Sequence, residues 1–148
     1  MSYYKECLSI VLAEDDEDDI LFFKEALMDL PLEINLKCLH DGQELMGYLH
    51  GLEEDQIPDL LFLDINMPCK NGIDCVSEIR QDETYNAVPI IMFTESGNQN
   101  KILETRKCGA NRYLKKPGTF KALVSILSDL LSDEGYRSLH KNKRYLLS

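Results

Sequence analysis

Two hydrophobic periods alternate along the chain. Residues 8–13 form a short apolar run that ends abruptly in acid. Residues 16–30 then carry Ile20, Phe23, Leu27 and Leu30 on one stripe at helical spacing. Asp16 is placed to cap that helix, Glu17, Asp18 and Asp19 suit the positive end of its dipole, and Pro31 stops it. In residues 33–38, Ile34, Leu36 and Cys38 alternate with Glu33, Asn35 and Lys37, which predicts a half-exposed edge strand. A helix over 41–50, a polar loop over 51–58 and a strand over 60–63 follow, then a helix over 72–81. Pro89 precedes a strand at 90–93, and Gly109 closes a helix over 97–108. A short strand at 112–115 leads to a helix over 119–131 with Phe120, Leu123, Val124, Leu127, Leu130 and Leu131 on one face.

This is strict β-α alternation, five of each. The runs at 8–13, 60–63 and 90–93 are apolar throughout, as strands covered on both faces must be. The expected fold class is α/β, a doubly wound five-stranded parallel sheet with right-handed crossovers. In such sheets ligands sit beyond the carboxyl ends of the strands. The residues found there are Glu14, Asp15 and Asp16 after the first strand, Asp64 after the third, Thr94, Glu95 and Ser96 after the fourth, and Lys116 with Pro117 after the fifth.

Crowded carboxylates repel unless a cation lies among them, and a hard divalent ion such as Mg²⁺ answers that need with oxygen ligands. A carboxylate is also a nucleophile toward phosphoryl donors. A metal, an ammonium and a hydroxyl would neutralise the three oxygens of the transferring group. Asp64, ending the middle strand between the flanking groups, is the best nucleophile candidate.

The net charge of −10 disfavours broad contact with nucleic acid. No apolar run approaches membrane-span length, and the N-terminus lacks the apolar core of a secretory signal. Cys7, Cys38, Cys69, Cys75 and Cys108 are odd in number and form no Cys-x-x-Cys, so neither a disulfide framework nor a zinc site is indicated. Cys7, Cys38 and Cys75 fall in apolar-patterned segments and read as small buried hydrophobes; a reduced, cytoplasmic setting follows. Cys69 and Cys75 bracket a loop near the strand ends, with a passive role expected over a redox one.

Val11-Leu-Ala-Glu-Asp-Asp16, Leu61-Phe-Leu-Asp64-Ile-Asn-Met-Pro68 with Gly72, the Ile91-Met-Phe-Thr94 strand end and the Lys116-Pro117 pair together resemble the receiver domain of two-component response regulators over about residues 6–131. Single-domain chemotaxis-type regulators are the simplest comparison. The polar loop before the third strand resembles that of the subgroup paired with phytochrome-type histidine kinases. The resemblance implies a flavodoxin-like (βα)5 sheet of strand order 2-1-3-4-5. It implies that Asp64 accepts a phosphoryl group from a histidine kinase or phosphotransfer protein. Glu14, Asp15, Asp64 and the Asn66 carbonyl would hold Mg²⁺. Thr94 and Lys116 would pair with phosphoryl oxygens, and Tyr113 would turn inward as Thr94 moves. Asn66, Glu95 and Ser96 would govern access and phosphate lifetime, and the bond between Lys116 and Pro117 would be cis. Glu95 and Gly118 depart from the usual small and apolar residues at their positions.

Residues 1–131 then form the receiver and 132–148 a tail without an effector domain. Output would run through protein contacts on the surface of helix 97–108, strand 112–115 and helix 119–131, toward an unknown downstream protein, a second copy or a phosphorelay. Arg137, Lys141, Lys143 and Arg144 against Asp133 and Glu134 give the tail +2, with −12 on the rest. It reads as a solvated, frayed end, with docking on the domain or on an acidic partner as the alternative.

Plainer readings stand beside these. Asp16 to Asp19 read as helix-start charges rather than ligands. They form no calcium loop, because Ile20 and Ala26 occupy the positions that need Gly and Glu. The plainer reading of Tyr113 is an aromatic that serves packing alone. An aspartyl-nucleophile phosphohydrolase of the haloacid-dehalogenase type needs a second Asp where Asn66 stands, and a receiver fold working without phosphate is at odds with the full residue set.

Overall fold

The computed structural model describes residues 7–141 and 143–147. Its elements, in order, are β1 Cys7–Ala13, α1 Glu17–Met28, β2 Glu33–Leu39, α2 Gly42–His50, β3 Leu60–Leu63, α3 Gly72–Arg80, β4 Ile90–Thr94, α4 Gln99–Cys108, β5 Arg112–Lys115, α5 Phe120–Leu131, α6 Asp133–Ser138 and β6 Leu146–Leu147. Short 3-10 turns at Glu54–Gln56 and Glu83–Tyr85 lead into β3 and β4. The sheet is parallel, with strand order β2-β1-β3-β4-β5-β6. The doubly wound, flavodoxin-like core is therefore present as expected, with one strand added at its edge.

Alternation along the central strands divides the core between two faces. Val11, Leu61, Leu63, Ile90, Met92 and Tyr113 pack with residues of α2 and α3 such as Leu45, Leu49, Val76 and Ile79. Ile10, Leu12, Phe62, Ile91, Phe93 and Leu114 pack with Ile20, Phe23 and Leu27 of α1 and Leu123 and Leu127 of α5. Phe23 is fully buried, its ring 4.9 Å from Phe62 and 5.4 Å from Phe93. Burial of one such side chain contributes roughly 1.5–3 kcal/mol.

Helix starts follow capping chemistry. Asp16, Asp41, Asn71, Asn98, Thr119 and Ser132 each accept a backbone N–H from three residues on, satisfying donors the helix cannot. At the other end of α4, Gly109 takes φ 111°, a left-handed cap open to glycine, and lets the Arg80 stem pass where a Cβ would meet it at 2.7 Å.

The structure corrects the sequence reading in three places. The tail is not a frayed end. Its residues form α6 against α5 and β6 beside β5, with Leu139 and Tyr145 buried. No peptide bond is cis among the described residues, so the one before Pro117 is trans, the default even for X-Pro bonds. Of the cysteines expected inside, Cys75 is buried, Cys38 is half-buried on the edge strand and Cys7, at the start of β1, is exposed. No helix among the described residues is long and apolar enough to cross a membrane.

Candidate functional site

Strand register gathers the site. Ala13 pairs with Leu63, which brings Glu14 beside Asp64, and Thr94 pairs with Lys115, which brings Lys116 to the same edge. Backbone bonds extend the ladder past the strands: Asp64 N–H donates to the Ala13 carbonyl (3.0 Å) and Lys116 N–H to the Thr94 carbonyl (2.8 Å). Gly72 N–H donates to the Ile65 carbonyl (2.8 Å), and a Cβ at Gly72 would lie 2.1 Å from the Asp64 carbonyl oxygen. The absent side chain is thus what lets α3 begin against the Asp64 backbone.

Lys116 is the hub. Its Nζ lies 2.7 Å from Glu14 Oε1, 2.7 Å from Asp19 Oδ2 and 3.2 Å from Asp64 Oδ2, and 5.6 Å from the centre of the Phe93 ring. Burial works against the ammonium, but Asp19, Glu14 and Asp64 outweigh it and hold the lysine above its ordinary range. Glu14 is fully buried. Burial pushes its carboxyl up to about 7, with Asp64 adding to the rise while Lys116 and the Asp16 N–H, 3.1 Å from Oε2, oppose it. Its Oε1 meets Lys116 as an ion pair without hydrogen-bond geometry.

Asp64 is buried and accepts a long contact from the Asn66 N–H at 3.4 Å. Asp15 is exposed, yet the carboxylate oxygens of Glu14, Asp15 and Asp64 lie within 4.8 Å of one another. Such an all-oxygen, acidic donor set fits a hard divalent cation. Four carboxylates (Glu14, Asp15, Asp19 and Asp64) face one ammonium, so a dication would reduce the excess negative charge.

Thr94 is fully buried, and its Oγ1 has no hydrogen-bond partner among the described residues. A buried orphan hydroxyl is costly and marks a place where a ligand oxygen would be welcome. Tyr113 is also fully buried and inward, its hydroxyl donating to the Ser96 carbonyl at 2.6 Å; burial raises its phenol above the ordinary range. Asn66 and Glu95 are exposed at the mouth and Ser96 is half-buried. Glu14, Asp15, Asp64 and Lys116 thus lie together, with Thr94 ending the neighbouring strand β4.

Two participants escaped the sequence reading. The sequence pattern makes Asp19 a helix-start charge, but it sits at the third position of α1, one turn after its cap, with Oδ2 2.7 Å from Lys116 Nζ. The spacing from Asp16 to Asp19 was the available signal. Tyr145, from the tail, rests against Tyr113 with ring centres 6.3 Å apart.

Residues 10–128 match the family model described as "Response regulator receiver domain". The chain is 29% identical over 126 residues to "Response regulator Rcp1" of Synechocystis sp., covering 83% of this chain and 86% of that protein. It is 35% identical over 122 residues to "Transcriptional regulatory protein CpxR" of Klebsiella pneumoniae, covering 82% of this chain but only about half (48%) of that longer protein. The solved structure of the phosphorylated cyanobacterial phytochrome response regulator RcpA aligns with TM-score 0.75 and 31% identity, over 82% of this chain and 89% of that one. The Mn²⁺-bound form of Rcp1 aligns with TM-score 0.74 and 28% identity, over 84% and 92%.

Proposed function

The chain belongs to the response regulator receiver family, and from that premise we propose that Asp64 accepts a phosphoryl group from the phosphohistidine of a histidine kinase or phosphotransfer protein. The observation that carries this reading is the pair formed by Lys116 Nζ, 3.2 Å from Asp64 Oδ2, and the buried Thr94 Oγ1 on the next strand, without a hydrogen-bond partner among the described residues. In the step, an Asp64 carboxylate oxygen forms a bond to phosphorus as the P–N bond breaks. The electron pair leaves on the histidine nitrogen of a ring already protonated at its other nitrogen, so the leaving group is neutral imidazole. Lys116 pairs with one phosphoryl oxygen and the Thr94 hydroxyl donates to another, so groups already in place meet charge as it develops.

In this reading Glu14, Asp15, Asp64 and the Asn66 carbonyl would hold Mg²⁺, which when bound would neutralise charge on the transferring phosphoryl group. The Mn²⁺-bound relative and the clustered carboxylates support it. Asn66, Glu95 and Ser96 border the approach of donor and water, and so set access and phosphate lifetime. The chain is then a phosphoacceptor switch rather than a turnover enzyme. Its place is the cytoplasm, with 1–131 as the receiver and 132–148 as a tail whose Leu139 and Tyr145 pack on it. The solved phytochrome response regulator RcpA among the relatives favours a kinase of that type. Engagement of Thr94 biases Tyr113, and with it the surface of α4, β5 and α5, toward a downstream protein or a second copy.

The test is the intact mass of wild type and Asp64→Asn after Mg²⁺ and acetyl phosphate, where the donor's P–O bond breaks and acetate leaves. A gain of one phosphate in wild type alone is expected. Equal gain in both variants, or none with either acetyl phosphate or a phosphorylated kinase, overturns the reading.

A further inference from the structure

Residues 133–141 lie at the foot of the sheet and residues 143–147 run up beside β5. Arg112, itself buried, donates to the carbonyls of Ser138 (2.8 Å) and Lys141 (3.3 Å), and Asn111 Nδ2 donates to the Leu139 carbonyl (3.1 Å). These bonds fix the base of the tail. Lys143 and Arg144 then cross in solvent. Beyond them Tyr145 is buried, its carbonyl accepting the Tyr113 N–H at 2.9 Å and its hydroxyl sharing a hydrogen bond with Thr105 Oγ1 of α4 at 2.6 Å. Leu146 and Leu147 pair with Tyr113 and Leu114.

The tail therefore holds Tyr113 from outside while the Ser96 carbonyl, two residues past Thr94, holds its phenol from inside. Tyr113 is fully buried in this arrangement, with Tyr145 packed against it. An outward-turned Tyr113 ring would need space that Tyr145 occupies. The platform on which Tyr145 rests exists only while Tyr113 points inward.

We propose that residues 145–147 are a built-in partner of the β5 edge that docks on the inward Tyr113, so that phosphorylation of Asp64 and docking of the tail reinforce each other. The tail is docked in the structure, and the coupling rests on the phosphoacceptor reading. Coupling between two sites is reciprocal: what the phosphate does to the tail, the tail does to the phosphate. The surface of α4, β5 and α5 is then presented to other proteins with the tail as part of it, rather than bare.

Trypsin cleavage after Arg144 measures docking in the full chain, because the exposed arginine is followed directly by the anchored tyrosine. Wild type and Asp64→Asn are treated with Mg²⁺ and acetyl phosphate, and the phosphorylated fraction is followed by mass. In phosphorylated wild type, cleavage is expected to slow by about fivefold or more, with no change in Asp64→Asn. A phosphate gained with cleavage unchanged or faster overturns the coupling while leaving the phosphoacceptor reading intact; no phosphate gained from either acetyl phosphate or a phosphorylated kinase overturns both. Tyr145→Ala, checked for native circular dichroism, is expected to lose the protection and to shorten phosphate lifetime at least about twofold. Tyr145→Phe, which keeps the ring and loses only the Thr105 bond, should fall between. An unprotected tail with wild-type phosphate lifetime in Tyr145→Ala would also overturn the proposal.

Discussion

Lys116 Nζ sits 2.7 Å from Asp19 Oδ2, nearer than the 3.2 Å that separates it from Asp64 Oδ2. The ammonium is thus shared between the first turn of α1 and the end of β3. Removing the Asp19 charge takes a carboxylate from the acidic cluster and frees Lys116 to move closer to Asp64, and both changes disfavour a cation. Asp19→Asn is expected to weaken divalent-ion binding by roughly 1 kcal/mol, about fivefold. Calorimetric titration with Mg²⁺ checks this; unchanged or tighter binding would remove Asp19 from the site.

Thr94 supplies a contrast between stability and function. Its buried hydroxyl has no partner among the described residues, so replacing it with an isosteric methyl removes an unmet polar group. Thr94→Val is expected to stabilise the unmodified protein by about 1 kcal/mol in urea unfolding. The same variant should retain less phosphate on Asp64 by intact mass. A variant that is both less stable and normally phosphorylated would contradict this account.

Gly72 is constrained by approach rather than by φ. A methyl there would lie 2.1 Å from the Asp64 carbonyl oxygen, which is backbone and cannot swing away. Gly72→Ala should cost about 2–3 kcal/mol and displace Asp64 from Lys116. Thermal unfolding together with the labelled fraction after acetyl phosphate reads both effects.

Tyr145 ties the tail to high-pH behaviour. Burial pushes its phenol up to about 12 from an ordinary value near 10; Tyr113 and Cys108 add to the rise, while the Thr105 bond and Arg106 oppose it. The folded state prefers the neutral phenol. Its contribution is therefore fully present below pH 10 and is lost as pH climbs toward 12, amounting to roughly 3 kcal/mol across that window. The tyrosinate absorbance lost in Tyr145→Phe, subtracted from wild type, should titrate near the upper end; titration near 10 would mean an undocked tail.

The legible part of this molecule is the part whose pattern repeats its burial. Runs such as 60–63 and 90–93 are apolar because both faces of their strands are covered, and the carboxylates, hydroxyl and ammonium stand directly after them. Asp19 was harder to read, because an acid in a first helical turn has a sufficient local explanation in the helix dipole, and only the fold aims it at Lys116. Pro117 follows Lys116 through a trans bond, the ordinary preference of the chain. The tail was illegible for another reason. Its four basic residues mask a three-residue anchor, too short to show a period, and its pairing with β5 spans a long loop of sequence.

Without β6, the four residues of β5 would present a free backbone edge at the side of the sheet. Such edges are templates on which other chains add strands, and natural proteins blunt them with very short edge strands or a covering loop. A two-residue strand, approached through Lys143 and Arg144, does both. The same tail that reports on Tyr113 is therefore a hem on the sheet, and losing it would cost the protein solubility at high concentration as well as control.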